Sequence, residues 1–313
     1  MSSPARLLLL SDLMLLAVAA VWGSSYGVVK SALAFYPVLG LLTLRFGLTF
    51  VLLSPALRSL RGAGARPLGG VFGTGVLLLG IFVCETFGVL LTSAANAAFL
   101  ISLCVMITPW VEWLWLGRRP TRVEGAAVLL SLAGAWLLAG GGRLAFLLNA
   151  GDGLILLAAL LRAVNVCATR RLMQRPGLSP LALTAAQSGV VAAGCAALAW
   201  TAAPPNWPPL PSLAGHAAFW ACVLYLVLAC TLFAFFAQNH AVRRSSPTRV
   251  ALLMGSEPAF GALFACLWLG ERISAASWAG GGLIVAASLL ATVVRRTPRA
   301  VRSKSGSIET IYM

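Results

Sequence analysis

LGRRPTRVEGAAVLLSLAGAWLLAG, residues 116–140, and LGERISAASWAGGGLIVAASLLATV, residues 269–293, open alike: Leu-Gly, a charged pair, then an apolar helix rich in Gly and Ala. The first is preceded by Arg118, Arg119 and Arg122, whereas in the second Glu271 and Arg272 cancel. Lys and Arg collect in the cytoplasmic loops of membrane proteins, so the two copies point opposite ways through a bilayer. A second, fainter pair supports the repeat: LLAVAAVWGSSYGVVK from Leu15 aligns with LILLAALLRAVNVCATR around Arg162, matching Trp22 with Arg162 and Lys30 with Arg170.

Outward from these segments, the chain is apolar almost throughout. Of its 313 residues 60% are hydrophobic and 10% charged, against about 25% charged in a soluble domain. A helix crossing the hydrocarbon needs about 20 apolar residues. Cutting at polar or Gly/Pro punctuation gives about ten such stretches: 12–31, 36–57, 68–91, 94–116, 122–140, 152–172, 181–203, 216–240, 248–269 and 274–294. The run from Pro204 to Pro211 cannot be helical and reads as an external loop. The first stretch has the look of a secretory leader, but Asp12 interrupts it, and it is expected to be a spanning helix.

The basic residues test this count. With the N-terminus inside, Arg58, Arg61 and Arg66, then Arg118, Arg119 and Arg122, then Arg170, Arg171 and Arg175, then Arg243, Arg244 and Arg249 all fall on the cytoplasmic side. So do Arg6 and the cluster from Arg295 to Lys304; of the 23 Lys and Arg only Lys30, Arg143 and Arg272 fall outside, with Arg45 and Arg162 inside helices. The expected fold is all-α and membrane-integral, with ten transmembrane helices in two inverted-topology five-helix repeats, residues 12–140 and 151–294. A basic cytoplasmic tail, 295–313, without regular structure is expected to follow and to lie against anionic headgroups. Inverted repeats with a midplane site between the halves mark secondary transporters, and transport is the leading function.

Other classes fit less well. The formal charge of +15 lies in short clusters between apolar runs, not on one face of a soluble domain, which excludes a nucleic-acid partner. Two histidines and seven cysteines buried in apolar runs leave no ligand supply for a metal, and no cofactor or disulfide is expected. No HExxH, GxSxG or GxxxxGK[ST] occurs, so neither intramembrane hydrolysis nor ATP use is expected and the chain is not an enzyme. An uncoupled facilitator and a non-transporting scaffold, possible as a monomer, remain as alternatives.

Ionisable residues at membrane depth face an interior or a wet cavity, and they supply the candidates. Glu85 is the deepest acid; burial would hold it protonated, as a proton- or amine-binding carboxyl or a partner to Arg45 or Arg162. Arg45, Arg162, Glu112 and Glu257 are the others. Pro109 and Pro258 are expected to break the fourth and ninth helices and expose backbone groups for gating. Trp22, Ser24, Ser25 and Tyr26 form a polar and aromatic patch with Asn165 opposite by the repeat, although Gly23 and Gly27 also read as a helix-packing motif. Gln187 is a further candidate for polar substrate groups, as are Gln238, Asn239 and His240, although these three read first as a solvated helix end, and Trp110, Trp113 and Trp115 read as interface anchors.

The chain resembles the drug/metabolite transporter superfamily, ten-helix permeases with two EamA-type domains. The resemblance rests on WGSSYGVVK at Trp22–Lys30, LRF at Leu44–Phe46, SAANAAFLISLCVMITP ending at Pro109, Gly151-Asp152, and SEPAFGALFACLWLGERIS at Ser256–Ser274. It covers residues 12–295 and implies an exporter of small metabolites or amino acids, with a central cavity, in the inner membrane. Two features depart from the pattern. GRRP replaces a GER-like sequence in the first half, and Arg162 stands where members carry an aromatic residue.

Overall fold

Long runs of Leu, Ala and Val without internal breakers satisfy every backbone polar group within the segment, and lipid admits no other solution for an open chain. The computed structural model describes residues 4–60, 65–92, 97, 100–138, 149–175, 177–202, 209–269, 274–293, 300–302 and 308–310. Its helices are α1 (Pro4–Leu33), α2 (Val38–Leu53, continued as a 3-10 turn over Ser54–Leu60), α3 (Ala65–Leu91), α4 (Cys104–Leu116) and α5 (Arg122–Leu138). The second half holds α6 (Ala150–Met173), α7 (Pro180–Ala202), α8 (Ala217–Arg244), α9 (Pro247–Met254), α10 (Glu257–Leu269) and α11 (Ala275–Val293). Among the described residues six helices are long and apolar enough to cross a membrane, and Leu100–Leu116 and Ala275–Leu290 are shorter apolar helices. The segments Pro204–Trp207 and Gly270–Arg272, on which an external loop and a family motif were expected, lie outside the described residues.

Two departures from expectation have local causes. The ninth stretch is not one helix: α9 ends at Met254, Gly255 and Ser256 turn, and α10 begins at Glu257. Pro258 is the second residue of α10, where a missing N–H costs nothing, so the interruption falls just before it. Pro109, by contrast, lies inside α4, and the turn in that region is at Leu103. The tail, expected to lack regular structure, carries two three-residue strands, Ala300–Arg302 and Ile308–Thr310, paired antiparallel with Arg302 opposite Ile308. Val301, Ile308 and Thr310 are β-branched and favour this conformation.

Helix contacts fall into sets related by exchanging first-half with second-half helices. α2 packs on α7 and α5 on α11, while α1–α8 is matched by α6–α3, and α1–α10 by α6–α4. Leu15, Phe46, Phe219, Leu226 and Leu253 are fully or almost fully buried in the main core. Outside it, Leu114, Leu129 and Leu267 are 70 to 82% exposed, an apolar outer surface that suits lipid and not water.

Small residues let key pairs approach closely. A Cβ on Gly134 would stand 2.6 Å from the Gly280 carbonyl oxygen on α11, and one on Gly23 would stand 2.5 Å from the Glu257 carbonyl oxygen and 2.7 Å from the Gly261 nitrogen on α10. Gly23→Ala therefore forces α1 and α10 apart and should destabilise by about 1–3 kcal/mol, the cost of overpacking. Gly47→Ala, with nothing within 4 Å, should be neutral or gain up to about 1 kcal/mol from helix propensity. Thermal unfolding in detergent micelles distinguishes the two; equal melting temperatures would refute the close contact.

Candidate functional site

The midpoint of α8 is a π-turn, Leu228–Phe233. In this wider turn Thr231 Oγ1 donates back to the Leu226 carbonyl at 2.7 Å, and the Cys230 carbonyl accepts both Trp22 Nε1 at 2.9 Å and Arg45 Nη2 at 3.2 Å. Arg45 Nε also donates to Thr231 Oγ1 at 2.6 Å, and its guanidinium lies over the rings of Phe46 and Phe82 at 5.2 and 5.0 Å. Arg45 is therefore held by the protein through Nε, Nη2 and the two neighbouring rings.

Arg162, on α6, is placed differently. Its guanidinium stacks over the Trp22 ring at 4.9 Å, and Nη1 donates to Glu257 Oε2 at 3.3 Å. Glu257 Oε1 accepts from the Tyr26 hydroxyl at 2.7 Å. The first residue of α10 thus ties α1 to α6 across the centre of the bundle. Because Gly23 lets the two backbones touch, Tyr26, nearly one turn further along α1, reaches this carboxylate. Gly23 therefore serves packing, while its neighbours Trp22 and Tyr26 make their contacts with Cys230, Arg162 and Glu257.

Two small cavities of about 40 Å³ each flank this pair, and Arg162 and Glu257 line both. At about 10–15 Å³ per water, each has room for about three water molecules and none for a metabolite. One is lined by Trp22, Ser25, Tyr26, Arg45 and Glu85, together with Val29, Leu41 and Leu226. The other is lined by Ser102, Cys104, Thr108, Gln238 and Val250. Seven of the nine expected binding residues thus meet in the first cavity. Gln187 does not: its Oε1 accepts from Asn239 Nδ2 at 3.4 Å, and that amide also donates to Thr184 Oγ1, which joins α7 to α8. Asn165 is buried one turn along α6 from Arg162, with no hydrogen bond to Oδ1.

Glu85 Oε2 is also buried without a hydrogen-bond partner. The structural alternative, a partner for Arg45 or Arg162, is not realised as a short ion pair: among the described residues the ion pairs are Arg162–Glu257, Arg249–Asp12, Arg118–Glu112 and Arg118–Glu124. Glu112, although buried, belongs elsewhere. Its Oε2 accepts the Thr248 amide at 2.9 Å and the Thr248 hydroxyl at 2.5 Å, at the N-terminus of α9. With Asp12–Arg249 at 2.6 Å and Arg170 donating to the Val242 and Arg243 carbonyls, these bonds gather the basic clusters at one end of the bundle. Arg118, outside the spanning segments, feels opposed effects: burial alone lowers its pKa, but Glu112 and Glu124 raise it further, so it stays protonated. Trp110, Trp113 and Trp115 are partly exposed there, with Arg119 over the Trp113 ring at 5.4 Å.

Sequence reading missed the π-turn, which has no residue signature, and with it the acceptor that orients Trp22 and Arg45. Gln238, read first as part of a solvated helix end, lines the second cavity.

Removing Glu257 leaves a buried guanidinium unpaired, so Glu257→Leu should cost about 3–5 kcal/mol. Glu85→Gln has no hydrogen bond to lose at Oε2 and should stay within about 1 kcal/mol of the parent. Melting temperatures in detergent separate the cases, and equally large losses would mean that Glu85 is a structural partner after all.

Comparison with known proteins agrees with this geometry. The EamA-like transporter family matches the chain twice, over residues 9–140 and 149–293. An uncharacterized transporter of Archaeoglobus fulgidus is 24% identical over 286 residues, covering 91% of this chain and 86% of the relative. The uncharacterized inner membrane transporter YedA of Escherichia coli K12 is 27% identical over 287 residues, 89% of each chain. A crystal structure with 20% identity superposes with a TM-score of 0.73 over 91% of this chain and 96% of that one, a likeness of fold. The chain is a multi-pass membrane protein and belongs to the EamA-like transporter family.

Proposed function

We propose that this transporter moves small zwitterionic or amine metabolites, amino acids foremost, out across the inner (plasma) membrane by alternating access. In this reading ten helices form two inverted five-helix halves, 12–140 and 151–294, that rock about the Arg162–Glu257 centre, with both termini and the tail cytoplasmic. The twofold family match and the exchange-related helix contacts support the halves. The gathering of Arg118, Arg170, Arg243 and Arg249 at one end supports the orientation, and the name of the Escherichia coli relative supports the inner membrane.

The observation that carries the substrate class is a single 3.3 Å ion pair, Arg162–Glu257, bordered by the Trp22 ring, the Tyr26 hydroxyl and the unpartnered Glu85 carboxyl. A zwitterion can split that pair. Its carboxylate takes Arg162 and its ammonium takes Glu257, so every buried charge stays matched as lipid-depth electrostatics requires. Arg45, already bonded to Thr231 and Cys230, positions the aromatic wall instead of binding solute.

Thermal-shift screening of amino acids, amines and nucleobases on purified protein should find stabilisers among the amino acids. Arg162→Met should weaken their binding about 10- to 100-fold, as expected for a lost charged hydrogen bond of about 1.5–3 kcal/mol; binding that stays unchanged would reject the assignment.

In proteoliposomes Glu85→Gln should abolish accumulation driven by a pH gradient and preserve substrate exchange. Gradient dependence that survives the substitution would remove Glu85 as the proton carrier and leave an uncoupled facilitator.

A further inference from the structure

Three side-chain atoms among the described residues are buried without a hydrogen-bond partner: Glu85 Oε2, Asn165 Oδ1 and Thr169 Oγ1. They are not scattered. Glu85 lies in the cavity that Val29, Leu41 and Leu226 also line. Asn165 and Thr169 are one helical turn apart on α6, on the same face as Arg162, and they lead from it towards Arg170, which is bonded at the basic end. The other cavity is lined from α6 by Arg162 and Val166, the latter next in sequence to Asn165, with Cys104, Gln238 and Val250 also on its wall. The span from Arg162 to Thr169 is about 10 Å at 1.5 Å per residue. A buried polar atom without a partner costs free energy in protein and more so in lipid, so two in a row on one face are maintained by something that hydrogen-bonds to them intermittently.

We infer that the Arg162–Glu257 ion pair is a septum between two half-paths, and that Asn165 and Thr169 line the cytoplasmic one, forming a second polar station that water and the departing solute occupy when the bundle opens inward. This rests on the transport reading above and adds to it a route and two residues outside the central cavity. The ligand chemistry is that of any small hydrogen-bonding solute: Asn165 and Thr169 carry no charge and set passage, while selection stays with Arg162, Glu257 and Glu85.

Cys104 is a native reporter for the inner cavity. The full-length protein, in right-side-out and inside-out membrane vesicles, is treated with a trimethylammonium methanethiosulfonate that does not cross bilayers, and modification of Cys104 is followed by mass spectrometry of its peptide. Cys104 should react from the cytoplasmic face and not from the other. The double variant Asn165→Leu with Thr169→Val replaces unpartnered polar atoms by apolar isosteres, so it folds at least as well as the parent. Its Cys104 labelling should slow about tenfold or more, the effect of one lost hydrogen bond on a barrier; Thr169→Ser should retain the parental rate. Parental labelling in the double variant, equal labelling from both faces, or none from either overturns the inference. Labelling needs no flux, so these outcomes stand apart from those of the transport assays: slowed labelling in a protein that moves no solute would keep the path and remove the transport reading.

Discussion

A guanidinium and a carboxylate held together in a low-dielectric bundle set the terms for the rest of this structure. Neither Arg162 nor Glu257 is tolerable alone at that depth, so the helices that carry them, α6 and α10, must stay in register with each other and with α1, which supplies Tyr26 and the Trp22 ring. That demand explains the glycine at position 23, since only a side chain of one hydrogen allows α1 to lie against the start of α10. It also explains why α10 begins where it does: with Glu257 as its first residue, the carboxylate projects at the turn between α9 and α10 and not from a continuous cylinder.

At the basic end, short charged contacts join four helices: Asp12 of α1 to Arg249 of α9, and Glu112 of α4 to the first turn of α9 and, through Arg118, to Glu124 of α5. Ser246 caps α9 by accepting the Arg249 amide, and at the other end of this eight-residue helix the buried Gly255 and Ser256 amides donate back to the Ala251 and Leu253 carbonyls. Away from these contacts, the cavity beside Glu85 is walled in part by the aliphatic side chains of Val29, Leu41 and Leu226.

Much of this was legible in the sequence, and the limits have physical causes. Hydropathy located the helical stretches because lipid leaves so few alternatives, and arginine placement grouped the residues that the structure gathers at one end. Depth singled out Glu85, Arg162 and Glu257 because charges are rare there, and the repeat alignment paired Trp22 with Arg162, which are in stacking contact. What could not be read depends on partners distant in the chain. Gln187 looked like a solute ligand until Asn239 was seen to engage it. Arg45 was expected as a binding residue or a partner for Glu85, and Thr231, Cys230, Phe46 and Phe82 surround it instead. Pro109 and Pro258 looked equivalent, yet one lies within a helix and the other begins one, because a proline's effect depends on its distance from the helix start.

The π-turn in α8 has an evolutionary corollary. Such a turn is an α-helix that has gained one residue, and the gain persists only where it is useful. Deleting a residue anywhere between Leu228 and Phe233 would restore ordinary winding, rotate Gln238 and Asn239 about 100° around the axis, and withdraw the carbonyl shared by Trp22 and Arg45. Length therefore matters more in this hexapeptide than identity: Leu, Ala or Phe there can be exchanged among apolar types, whereas a one-codon contraction removes the site without altering a single residue that lines it.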